Sequence, residues 1–175
     1  MRQSTIWFTS DTHFGHENII QHCSRPFDSV REMDEYLLDR INECVSHPGD
    51  VLYHLGDFAF WQTRNLVNYY RSQIKCKQVF LVRGNHDTRL SPEDKKLFTG
   101  VYDIKEVKWA GQKICLCHYA MRTWPSSHKG SWHLYGHSHG KLLLDPNLKA
   151  FDTGVDCQGY RPIAFEEVQA LISLM

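Results

Sequence analysis

Histidine and aspartate gather in this chain in five short clusters, each just after an apolar run: Asp11-x-His13, Gly56-Asp57, Gly84-Asn85-His86-Asp87, His118, and Gly136-His137-x-His139. Each has an ordinary reading on its own. Asp11-x-His13 suits a turn with a capping aspartate, and Gly56-Asp57 a common loop start. Gly84-Asn85-His86-Asp87 suits a tight turn, since glycine and asparagine tolerate left-handed backbone. His118 alone reads as a satisfied core histidine. His137-x-His139 puts two imidazoles on one face of an extended segment, a moderate metal signal. Together they resist the ordinary reading, because it needs five coincidences, each at a strand end. Setting His86 aside, the inventory is two aspartates, an asparagine and four histidines. That set can ligate two divalent ions with one shared carboxylate. Mixed imidazole and carboxylate donors suit first-row metals such as Mn, Fe, Zn or Co. A pair of ions about 3.5–4 Å apart can hold an attacking hydroxide and a phosphoryl oxygen together.

The elements that must position these clusters follow from periodicity. Residues 6–10, 51–55 and 79–82 read as buried strands, each ending at a cluster. Residues 12–28 read as a polar loop. Ser29-Val30-Arg31-Glu32 is a capping box, and Met33, Tyr36, Leu37, Ile41, Cys44 and Val45 follow at helical spacing until Pro48-Gly49-Asp50. Residues 62–74 suit a second helix, and 89–96 a solvated loop. Strands at 102–109 and 113–117 flank a hairpin turn at 110–112. Leu134-Tyr135 leads into the last cluster. Strands at 142–144 and 148–151 would flank a turn at 145–147. A strand at 163–165 and a helix at 166–174 close the chain. Alternating strands and helices, then mostly strands, indicate an α/β protein with a mixed sheet, or two packed sheets, covered by helices. In open α/β folds ligands sit beyond the carboxyl ends of strands, so the five clusters can converge on one rim.

Taken jointly, the five blocks resemble the signature of the calcineurin-like metallophosphoesterases. All are present, in order, between residues 11 and 139. Asp11-Thr12-His13-Phe14-Gly15-His16 and the short chain resemble small bacterial and phage-borne members. The resemblance implies a four-layer α/β/β/α sandwich of two mixed sheets, with a dinuclear centre at the strand ends. It implies Asp11, His13 and His139 on one ion and Asn85, His118 and His137 on the other, with Asp57 bridging. His86 would be no ligand but would face the leaving group or a phosphate oxygen, and Asp87 would orient it. The activity implied is hydrolysis of phosphate mono- or diesters by a hydroxide between the ions, attacking phosphorus in line. Mn is the expected ion, with Fe, Zn, Co or Ni as others. No stretch is long enough for a cap, so residues 1–175 are expected to form one domain with an open site.

Four further side chains are candidates for substrate contact: His16, Arg25, Arg122 and His128. Against this, His16 and His128 read equally well as loop histidines, and the arginines as surface groups. Trp124 and Trp132 suit stacking on a base or aryl group, or loop packing. Asp152 and Asp156 suit support of the site rather than ligation.

Composition narrows the classes. The chain has 175 residues, 20 basic and 20 acidic, and eleven histidines. Zero net charge disfavours broad grip on long nucleic acid, whereas bound dications would attract a small phosphoester, nucleotides included. No apolar run approaches the roughly 20 residues of a membrane span. The first residues lack the apolar stretch of a signal peptide, and six cysteines without a C-x-x-C pair read as reduced thiols, so a cytoplasmic location is expected. Composition does not indicate an oligomeric state. Two other functions compete. Gly136-His137-Ser138-His139-Gly140 fits the G-x-S-x-G elbow of a serine hydrolase, although that motif needs a helix after Ser138 and no histidine follows His139. A non-catalytic interaction module on the same fold is the other, although it should have lost some of these residues. His16-Glu17-Asn18-Ile19-Ile20 lacks the second histidine of a zinc protease.

Overall fold

The computed structural model describes residues 3–60, 65–143 and 147–174. Strand β1 (Ile6–Thr9) lies parallel to β2 (Val51–His54), which lies parallel to β3 (Gln78–Val82), with Phe8 opposite Tyr53 and Tyr53 opposite Phe80. A short β4 (Gly100–Tyr102) extends this side in parallel, and β9 (Ile163–Ala164) runs antiparallel on the far side of β1. The second sheet has the order β5 (Ile104–Trp109), β6 (Gln112–Cys117), β7 (Trp132–Tyr135) and β8 (Ala150–Asp152), parallel except for the β5–β6 hairpin. Ala110 and Gly111, both at positive φ, make that hairpin's two-residue turn.

Alternation along the strands separates two cores. Trp7, Leu52, Val79 and Leu81 face the helix side and pack against Met33, Leu37 and Ile41. Ile6, Phe8, Leu55 and Val82 face the second sheet and meet Ile114, Leu116, Trp132 and Leu134. Helix α2 (Val30–Cys44) begins at Ser29, whose Oγ accepts from Glu32 N, while the Glu32 carboxylate accepts from Asp28 N rather than from Ser29. Helix α3 (Leu66–Gln73) packs Leu66, Val67 and Tyr70 on the same core. Helix α5 (Phe165–Ile172) gives Phe165, Val168 and Ile172 to the cluster between the sheets. The outer face of the second sheet is covered by the 119–131 loop, where the Trp124 ring lies 5.3 Å from His133 on β7. The layers are those of a four-layer sandwich of two mixed sheets flanked by helical and loop segments.

Several elements differ from the sequence expectation. The 12–28 loop contains helix α1 (Asn18–His22), and the 89–96 loop contains α4 (Pro92–Lys95), closed by a capping box between Ser91 and Asp94. The strand expected at 102–109 breaks at Asp103. Its first part pairs with β3 and its second with β6, so the chain changes sheets there. Leu142 and Leu143 are not in a strand, and Leu143 is exposed. Residues 62–64 of the expected α3, and most of the turn expected at 145–147, lie outside the described residues.

Candidate metal centre

Because β1, β2 and β3 are mutually parallel, and β6, β7 and β8 likewise, each set ends on one rim. The five clusters follow β1, β2, β3, β6 and β7. Asp11, His13, Asp57, His137 and His139 all carry left-handed backbone, with φ between 47° and 67°. This conformation costs roughly 1–2 kcal/mol per non-glycine residue. The strain turns five side chains toward one point. Two glycines permit the close approach this demands. A Cβ on Gly84 would lie 2.2 Å from Asp57 Oδ1, and one on Gly136 would lie 2.4 Å from Asp11 Oδ2.

The donors fall into overlapping groups, each with ligand atoms mutually within 4.8 Å: Asp11, His13 and His139; His13, Asp57 and His86; Asp57, His118 and His137. Asp57 stands between the first and last, its Oδ2 3.5 Å from both His13 Nε2 and His118 Nε2. Asp57 Oδ1 accepts from His86 N at 2.9 Å, and the Asp11 carboxylate accepts from His137 N. His118 Nδ1 lies 2.7 Å from Leu55 O, an acceptor, so this nitrogen carries the proton and Nε2 is left as a lone pair. His118 Nε2 and both ring nitrogens of His13 are buried without a hydrogen-bond partner. Buried polar atoms are rarely left so. Imidazole nitrogens and carboxylates converging in this state fit divalent cations.

The electrostatics agree with that donor set. Burial pushes the Asp11 carboxyl up to about 6, opposed in part by His118 and His139. Burial also raises Asp57, but His118, His13 and the His86 N–H outweigh it and hold this carboxyl well below the usual range. Burial holds His13 well below its ordinary value, which keeps its ring neutral and one ring nitrogen free as a lone pair. His139 is the reverse case: burial opposes its protonation, yet Asp156 and its other neighbours push it up to about 10.

His86 joins the group, its ring 4.8 Å from His13 and its Nδ1 buried without a partner. It also lines a cavity of about 530 Å³ with Phe60, Leu66 and Leu90. His16 stacks on Phe60 at 4.3 Å and lies 5.5 Å from His13, at the margin of the cluster. Asn85 opens the 3-10 turn Asn85–Asp87 and is exposed.

Three expectations are corrected. Asp87 does not orient His86 by a hydrogen bond. Its buried carboxylate accepts instead from Asp57 N (2.7 Å), Gly84 N (2.8 Å) and Phe58 N (3.1 Å), bracing the loops after β2 and β3. Arg25 does not reach out to substrate: its side chain is fully buried and bonded to Asp156, Asp11 O and Thr12 O. His128 lies on the exposed 3-10 turn Ser127–Lys129, near the start of β7, whereas the centre lies past the end of β7. Arg122 is exposed and lines a separate cavity of about 220 Å³ with Tyr135, Leu142 and Leu143. Trp124 and Trp132 are both buried, Trp124 with its Nε1 donating to Ser131 O, so they pack rather than stack on a ligand.

Sequence reasoning missed several supports. His54 Nδ1 accepts from Gly56 N, which leaves Nε2–H to donate to Thr12 Oγ1 (2.9 Å), and Thr12 donates on to Phe58 O (2.7 Å). Asp34 on α2 accepts from Gly15 N and from Tyr70 OH. His133 accepts from Met121 N and fixes the chain just after His118. The Tyr119 ring lies 4.8 Å from His137. Only the capping pattern of α2 hinted at one of these, by placing Asp34 on its first buried turn. Ser138 sits in a turn between left-handed His137 and His139, and no helix follows it among residues 139–143, which removes the serine-elbow geometry.

A family model for the calcineurin-like phosphoesterase superfamily domain matches residues 5–146. An uncharacterised protein of Methanocaldococcus jannaschii is 28% identical over 98% of this chain and 93% of its own length. The crystal structure of a protein of unknown function from Aquifex aeolicus superposes with a TM-score of 0.75 at 26% identity, covering 97% of this chain and all of that one. An archaeal phosphodiesterase shares the fold, with a TM-score of 0.54 at 16% identity over 92% of this chain and 99% of its own.

Proposed function

Because this chain belongs to the calcineurin-like phosphoesterase superfamily, we propose that its rim cluster holds two divalent transition-metal ions, manganese foremost, and hydrolyses phosphate mono- or diesters. Asp11, His13 and His139 would form one seat and Asn85, His118 and His137 the other, with Asp57 shared. The observation that carries this reading is Asp57 Oδ2, 3.5 Å from two buried imidazole nitrogens, of which His118 Nε2 and His13 Nε2 lack any other partner.

Two bound dications would supply an acidified water as nucleophile and draw charge off the phosphoryl oxygens. The chain's own residues do the rest. Leu55 O fixes the His118 tautomer, and Asp156 fixes that of His139 through Nδ1 at 2.7 Å. Asp87 holds the Asp57 loop. His86, at the wall of the cavity of about 530 Å³, is placed to give a proton to the leaving oxygen or to steady its charge. The His16 ring lies 5.7 Å from that of His86. The substrate is proposed to be a small phosphoester, nucleotides included, drawn by the bound ions on a chain of zero net charge. No described helix is long and apolar enough to cross a membrane, and we assign the cytoplasm as the compartment.

The test loads purified protein with Mn and measures ions per chain alongside hydrolysis of aryl monoester, aryl diester, cyclic nucleotides and short oligonucleotides. Two ions and turnover of at least one class are expected. Asp57→Ala should abolish turnover, and His86→Ala should keep both ions but lose about 10²–10⁴-fold in rate. Fewer than one ion per chain with no hydrolysis would instead support a non-catalytic interaction module.

A further inference from the structure

We propose that Arg25 and Asp156 are positioning residues that build one half of the centre, the seat of Asp11, His13 and His139. The inference rests on the dinuclear reading above and adds to it an asymmetry between the two seats.

One buried guanidinium ties together every part of that seat. Arg25 Nε meets Asp156 Oδ1 at 2.8 Å, and Nη2 meets Asp156 Oδ2 at 2.9 Å, a two-point fork on one carboxylate. The same Nη2 donates to Asp11 O at 2.7 Å, and Nη1 to Thr12 O at 3.2 Å. Those carbonyls belong to the segment whose left-handed turns aim Asp11 and His13. Asp156 Oδ2 also accepts from His139 Nδ1 at 2.7 Å, leaving His139 Nε2 facing Asp11 Oδ1 at 4.0 Å. Arg25 is itself anchored, its N–H donating to Ile20 O in the middle of α1. Asp156 follows the stretch where Val155 N donates to Ser10 O beyond β1. Chain segments near residues 11, 25, 139 and 156 thus meet on two side chains.

Among the described residues the opposite seat lacks such a device. Behind His118 stands only the neutral carbonyl of Leu55. A carboxylate behind an imidazole makes it a stronger donor and fixes its plane. The Arg25 charge neutralises that carboxylate, so the pair survives with its side chains almost wholly buried. Cys23, His139 and Asp156 also have ligand atoms within 4.8 Å of one another. Both Asp156 oxygens and His139 Nδ1 are already committed, so this trio supports the seat rather than forming a third one. Lysine at position 25 offers one point charge and cannot reproduce the fork and the backbone contacts together.

The experiment compares wild type, Arg25→Lys and Asp156→Asn, with Arg31→Lys as an exposed control. Mn binding is followed by equilibrium dialysis, and low-temperature EPR of the Mn-loaded protein distinguishes a spin-coupled pair from an isolated ion. Wild type and the control should bind two ions with a coupled spectrum. Arg25→Lys and Asp156→Asn should each weaken one ion by roughly 10–100-fold and leave the other unchanged. They should give an isolated-ion spectrum at limiting Mn and recover coupling in excess Mn. Two ions at wild-type affinity in both variants overturn the proposal. If Arg25→Lys does not unfold cooperatively, Asp156→Asn decides alone. A wild type holding a single ion overturns the dinuclear reading. Unchanged affinity for that ion in the variants then overturns the positioning role, and weakened affinity upholds it.

Discussion

Thr12 lies between two proposed ligands in Asp11-x-His13, and replacing it by valine removes a hydroxyl while nearly preserving shape. The hydroxyl accepts from His54 Nε2–H and donates to Phe58 O, and Thr12 and His54 are fully buried. Burial pushes the His54 ring down to about 3, so it stays neutral near pH 7 and cannot escape the loss by changing charge. In Thr12→Val the His54 Nε2–H becomes a buried donor without a partner, costing about 1–3 kcal/mol. Phe58 O still accepts from Phe14 N, so its loss is smaller. A total of about 2–3 kcal/mol should lower the thermal midpoint by about 5–10 °C in a chain of this size. Thr12→Ser keeps the hydroxyl and loses one buried methyl, about 1 kcal/mol. Urea and thermal unfolding of metal-free protein at pH 6 and pH 8 measure both variants, and the valine penalty should be equal at the two pH values. A valine variant within about 0.5 kcal/mol of wild type, or a serine variant less stable than valine, would refute the reasoning.

Two more expectations concern buried carboxylates. Burial pushes Asp34 up to about 6 despite the Gly15 N–H and the Tyr70 hydroxyl. A raised carboxyl favours the folded state when protonated, so that stability is present below pH 4 and lost as pH rises through 6. Relative to Asp34→Asn, metal-free wild type should therefore lose roughly 2–3 kcal/mol between pH 4 and pH 7, read by urea unfolding of both proteins. A pH-independent difference contradicts this. Asp87→Ala should destabilise the protein by about 3 kcal/mol, because it strands three backbone N–H groups, two of them at Asp57 and Phe58. Unchanged thermal stability with a large loss of turnover would return Asp87 to a role acting through His86.

The rim was legible because each cluster carries its own local mark: a strand that ends, then a short polar group. The supports were not, because they join distant segments with no local signature. Thr12 and His54 read in sequence as an ordinary threonine and histidine, and although Asp156 read as support of the site, nothing local tied it to Arg25, which read as a substrate contact or a surface group. His128 misled for a topological reason. It lies between His118 and His137 in sequence, but β6 and β7 are parallel, so the connection must return to the opposite end of the sheet. The break at Asp103 was hidden because both halves of 100–109 are extended, and only their partners differ. Helix α1 was missed because five residues are too few to show a period.

The loops that carry the proposed ligands follow strands of both sheets: Asp11, Asp57 and Asn85 extend from the first, His118 and His139 from the second. Neither sheet alone can present a complete seat, since His139 belongs with Asp11 and His118 with Asp57. The pairings that create the centre are also long in sequence, and contacts of that kind form late because closing the intervening loops costs entropy first. In a refolding reaction, high-affinity metal uptake should therefore lag behind the formation of either sheet and appear only as the two dock. A bound ion pair would then clasp the sheets together, slowing unfolding more than it speeds folding.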